Sequence, residues 1–136
     1  MKKSIHITIA LISIFLYSCK LEEGEGGKAT ITGKVIVQEL YSNAILGIKD
    51  SVINEYPAAE ERVYLTYADN SIYDDDFRAD ENGNYKFTNL TKGNYTLTFY
   101  SYCDTCDTEI TPIYKKVTLD SHKETKTVEN VYIEVK

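Results

Sequence analysis

Apolar and polar residues alternate through most of the chain after residue 28. In ATITGKVIVQ, Ile31, Val35 and Val37 fall on one side, with Thr32 and Lys34 on the other. The same period groups Val63, Leu65 and Tyr67 in ERVYLTYAD, Tyr85 and Phe87 in NYKFT, and Tyr95, Leu97 and Phe99 in NYTLTFYSY. It returns with Ile113, Val117 and Leu119, then with Val131, Ile133 and Val135. Neighbouring side chains of a strand point to opposite faces, so period two rich in Val, Thr and Tyr predicts half-buried antiparallel strands. DDDFRAD adds a weaker strand through Phe77 and Ala79. Asp80-Glu81-Asn82-Gly83 and Thr91-Lys92-Gly93-Asn94 carry turn chemistry, each with a glycine suited to positive φ. The pattern predicts an all-β chain, a seven-stranded antiparallel Greek-key β-sandwich.

Residues 39–60 break the period. Leu40, Ala44, Ile48 and Val52 lie four apart, a helical spacing, whereas Gly47 and the β-branched residues oppose a helix. The expectation is a long inter-strand loop with at most one helical turn, ending at Pro57.

The N-terminus has a different pattern. Lys2 and Lys3 precede an apolar run from Ile5 to Tyr17, too short for a comfortable membrane span and suited to a secretory signal. Leu16-Tyr17-Ser18-Cys19 then resembles a bacterial lipobox, which implies cleavage before Cys19 and lipidation of that cysteine. Several acyl chains hold a protein stably on a membrane without a transmembrane helix. KLEEGEGG follows, acidic and glycine-rich, and reads as a tether. The expected divisions are a signal peptide at 1–18, a lipidated tether at 19–28 and one β-sandwich domain at 29–136. Acid behind the cysteine resembles the export signal of surface lipoproteins, so the expected address is the outer membrane, facing the cell surface.

Charge narrows the partners. The chain has 21 Asp and Glu against 15 Lys and Arg, a net charge of −6, and loss of the signal removes Lys2 and Lys3. Such a surface repels nucleic acid, which is excluded as a partner. Lipidation of Cys19 leaves Cys103 and Cys106 together in an oxidising compartment, where a disulfide is expected. The alternatives are a redox centre, which needs a helix N-terminus to activate the thiol, and a zinc site, for which a second Cys/His pair is missing.

No catalytic set stands out. His122 is the sole histidine after the signal and sits in a polar turn, DSHKET. There is no zinc-binding His-x-x-Glu pair, nucleophile elbow or phosphate loop, so neither enzyme activity nor a cofactor or metal is expected. Asp74-Asp75-Asp76 suggests calcium, but a strand points alternate acids to opposite faces and the spacing is not that of a calcium loop. Charge on an edge strand also guards against edge-to-edge aggregation.

Tyrosine is the more informative residue, with 12 copies and no tryptophan. By parity Tyr64, Tyr100 and Tyr102 point away from the core, and Tyr114 joins them. Converging on one sheet face, they would form a platform for sugar rings or a protein surface. The alternative is that the 39–60 insert, with Ile45, Leu46, Ile48, Val52 and Ile53, folds back and covers them.

ITGKV, AEERVYLTY and RADENGNYKFTNLTKGNYTLTFYS together resemble the carboxypeptidase-regulatory-like domain, a transthyretin-like (prealbumin-like) sandwich. The matching positions are Gly33 and Val35, then Asp80, Gly83 and Tyr85, then Leu90, Gly93 and Tyr95. The long insert and the Cys103-x-x-Cys106 hairpin depart from that pattern. The resemblance implies a non-enzymatic accessory or binding module, here on the bacterial outer membrane with an envelope protein or glycan as partner. Alternatives are a carbohydrate-binding surface lipoprotein using the tyrosine face, or a structural subunit of an adhesin or envelope complex.

Overall fold

The computed structural model describes residues 23–43 and 45–135. The expected signal peptide at 1–18, Cys19 and the first part of the expected tether lie outside the described residues. Nine strands follow in order: β1 (Glu25–Asn43), β2 (Ile48–Pro57), β3 (Arg62–Tyr67), β4 (Asp75–Arg78), β5 (Asn84–Leu90), β6 (Gly93–Tyr102), β7 (Ile110–Leu119), β8 (Thr125–Thr127) and β9 (Val131–Ile133). Among the described residues there is no helix.

Two sheets face each other. One has β1 as its spine: residues 30–32 lie between β5 and β8, and residues 36 and 37 between β2 and β9. The other runs in the order β4-β3-β6-β7. Between them, period two is fulfilled as burial. Ile31, Val35, Val63, Leu65, Leu97 and Phe99 are wholly inaccessible, and Tyr85, Phe87, Tyr95, Val117, Leu119, Val131 and Ile133 join them. Tyr67 and Ile113 are partly buried against this core, whereas Val135 is exposed. Burying aliphatic and aromatic side chains of this size stabilises by about 1.5–3 kcal/mol each, which is what holds the sheets together.

The motif residues build the fold. Asp80 closes the β4–β5 turn: its carboxylate accepts the backbone N–H groups of Asn82 and Asn84, both at 2.8 Å. Those bonds, with the Asn84 side-chain amide first, hold its pKa below the ordinary carboxylate range. Gly83 takes φ +77°, and a side chain there would collide with the carbonyl of Val35. Gly33 leaves room for the Tyr85 ring, which lies across it from β5. That places the Tyr85 hydroxyl in the core without a hydrogen-bond partner among the described residues.

Three expectations need correction. The sheet containing β1 is mixed, because β8 and β9 run parallel to β1. Alternation reports which face is buried and is blind to strand direction. The 39–60 insert is a hairpin rather than a loop: β1 continues to Asn43, Gly47 turns the chain at φ +67°, and β2 returns antiparallel with irregularities at Glu39/Leu40 and Tyr41/Asn43. Val52 and Asn54 pair with Leu40 and Glu39 of β1, Ile53 between them takes up the irregularity, and the β-branched side chains of Val52 and Ile53 suit the extended conformation. This hairpin and the short β8 take the strand total beyond the predicted seven. Residues 25–28 already belong to β1, and Gly24 is held by the Tyr95 hydroxyl, to which its N–H donates at 3.2 Å, and by the Thr91 N–H at 2.9 Å.

Candidate functional site

The outer face of the four-stranded sheet carries the predicted tyrosines. Tyr64 on β3 pairs across with Thr98 on β6, which pairs with Tyr114 on β7. Tyr100 follows two residues along β6, opposite Pro112. Tyr102 is at the end of β6, opposite Ile110 and beside the disulfide loop. Tyr64, Tyr100 and Tyr102 are half-buried, while Tyr114 is 61% exposed.

The insert does not cover this face, because β2 is bonded to β1 in the opposite sheet. A residue outside the parity argument comes instead. Tyr73, on the β3–β4 connection, stacks on Tyr64 with ring centroids 4.5 Å apart, and its hydroxyl meets that of Tyr100. Tyr64 also meets Tyr100 edge-on at 5.8 Å. The bond to Tyr100, followed by burial, pushes the Tyr73 phenol up to about 12. Three rings thus share contacts, each in a geometry that adds attraction beyond area burial.

Asp74 is the reason Tyr73 arrives there. Its carboxylate accepts the Tyr67 N–H at 2.7 Å and the Asn70 side-chain amide at 3.0 Å, and its own N–H donates to the Leu65 carbonyl at 2.9 Å. Ala68, at φ +50°, turns the chain and donates to the Asn94 carbonyl at 2.8 Å. The connection is therefore fastened to both β3 and β6. No alternation marks NSIYDDD, so nothing local pointed to Tyr73.

This loop and the sheet enclose an open cleft of about 320 Å³. Thr66, Thr96 and Thr98 form its floor, Asn70 and Tyr73 one wall, and Tyr114 the other. Its size lies within the range of small-molecule sites, roughly 300–1,000 Å³. Every polar lining group is neutral except Asp69, and hydroxyls and amides can both donate and accept.

The remaining candidates lie elsewhere. Cys103 and Cys106 form a disulfide in the β6–β7 loop, with Cα atoms 5.4 Å apart. The Cys103 N–H donates to the Glu109 carbonyl at 3.0 Å and the Glu109 N–H to the Cys106 carbonyl, also at 3.0 Å, which squares off the hairpin end. His122 accepts the Lys92 N–H on Nδ1 at 3.3 Å and works as a brace between turns. Asp76 pairs with Arg62 at 3.1 Å. Among the described residues no group of three or more His, Cys, Asp or Glu is arranged to hold a metal ion.

No family model matches the chain, and no curated protein matches it by sequence. Among solved structures, a Pseudomonas aeruginosa protein provisionally described as carbohydrate binding is similar in part. It is 14% identical over 83% of this chain and 92% of its own, with a TM-score of 0.47.

Proposed function

We propose that this protein is a non-enzymatic binding module, held at the bacterial outer membrane by lipid on Cys19 and facing the cell surface. The tyrosine cleft is its binding site. One observation carries this reading: the β3–β4 loop is fastened over the sheet so that Tyr73 and Tyr114 flank a concave, hydroxyl-floored cleft. The lining supplies rings, hydroxyls, amides and one carboxylate, a set suited to holding a polar ligand rather than cleaving it. Resemblance to the carboxypeptidase-regulatory-like domain agrees with an accessory role. Its motif residues here serve turns and core, leaving the outer face free to be specialised.

A carbohydrate is favoured over a protein ligand by the cleft's shape and composition. A pyranose presents C–H groups that pack on a phenol ring and hydroxyls that match threonine and amide partners. The test is photocrosslinking in intact cells of the source organism, with the probe at position 114. The same probe at position 86, an exposed lysine on the other sheet, is the control. Selective capture at 114 supports the binding face, and a glycan in the product supports the carbohydrate reading. Equal capture at both positions, or none, overturns the site.

A further inference from the structure

The cleft has a second lobe. A neighbouring hollow of about 370 Å³ shares Ala68, Asp69 and Thr96 with it and extends over Asn94, Lys116 and Thr118. The two form one groove along the sheet, from the rings of Tyr73 and Tyr114 to the far edge of β6 and β7. The lobes differ in chemistry. The first offers aromatic faces; the second offers polar side chains, among them Thr118, which donates to Asn94 Oδ1 at 2.9 Å. Each lobe alone has the volume of a small-ligand pocket.

Charge is distributed unevenly around it. Asp69 stands where the lobes meet, Glu23 lines the second lobe, and Asp74, Asp75 and Asp76 follow on the adjoining loop and strand. Against these, Lys116 lies in the second lobe, while Arg62 is tied to Asp76. A carboxylate accepts hydrogen bonds from sugar hydroxyls but repels another anion, most strongly where the site is partly screened from water. An apolar ligand is disfavoured as well, because it would strip water from the threonine floor without replacing its hydrogen bonds.

We infer that the groove binds an uncharged glycan chain across at least two sugar units and rejects chains bearing carboxylate or sulfate groups, with Asp69 as the charge filter. This rests on the carbohydrate reading above. The experiment is native electrophoresis of the full chain in detergent, through gels containing glucan, mannan, galactan, xylan, polygalacturonate or heparin. At least one neutral polymer should retard the protein where both polyanions leave it unretarded. Tyr114→Ala should weaken that retardation about tenfold, a typical loss for an aromatic anchor. Asp69→Lys should admit polygalacturonate, while Glu81→Lys, an equal charge change in the β4–β5 turn, should not. Retardation of the native chain by the polyanions, or an Asp69→Lys variant that behaves like Glu81→Lys, overturns the charge filter and leaves glycan binding standing. Retardation by none of the six polymers overturns the carbohydrate reading itself.

Discussion

The ring of Tyr73 lies against that of Tyr64 with centroids 4.5 Å and planes 27° apart, although one is on a loop and the other on a strand. The contact ties the β3–β4 connection to the outer face of the sheet and gives the cleft one of its walls. Tyr114, facing it from β7, is more exposed and takes no part in the core. The two tyrosines should therefore respond differently to truncation. Tyr73→Ala is expected to cost about 1 kcal/mol from lost ring contacts and to weaken ligand capture as well. Tyr114→Ala should leave the melting temperature nearly unchanged and weaken capture alone. Thermal unfolding and binding measured side by side check this; equal stability losses would make Tyr114 a structural residue.

Asp80 predicts an acid dependence of stability. Its pKa is lowered by bonds to Asn84 and Asn82 that exist only in the folded turn. A depressed carboxyl stabilises the fold above its unfolded pKa, near 4 for aspartate, and that contribution disappears as pH falls through the folded value. Asp80→Asn should thus be less stable than the native chain at neutral pH, and the gap should close on acidification. Denaturant midpoints measured from neutrality into the acid range test it. A gap independent of pH would assign the turn's stability to Gly83 and the backbone.

The Cys103–Cys106 disulfide closes a short ring within an exposed hairpin loop. The purified chain should present no alkylatable thiol at these positions until reductant is added. Replacing both cysteines by serine should cost at most about 2 kcal/mol, as the small loop implies. The cleft lies towards the opposite end of β6 and should keep its ligand. Free thiols in the oxidised protein would overturn the pairing.

Cys19 carries the anchoring proposal. Cys19→Ala should abolish acyl labelling and move the protein from the membrane fraction to the soluble one, because lipid on Cys19 is the proposed anchor. Membrane retention of the variant would show that something other than lipid holds it.

The positions of Ile31, Leu65, Leu97 and Phe99 in the core were determined by the sequence itself. A pleated strand turns alternate side chains to opposite faces, so local order alone decides which are buried once two sheets meet. The same parity directed Tyr64, Tyr100 and Tyr114 outward, and Asp80 with Gly83 specified their turn through bonds within five residues. Only the tertiary structure decided the rest. Whether the 39–60 insert would cover the tyrosines depended on which sheet its hairpin extends, and β2 pairs with the C-terminal half of β1, in the sheet opposite the tyrosines. The parallel course of β8 and β9 was fixed by that same spine. Tyr73 reached the tyrosine face because Asp74 fastens its loop to Tyr67 and Leu65. Those bonds follow no period along the chain, and they exist only after the strands have assembled.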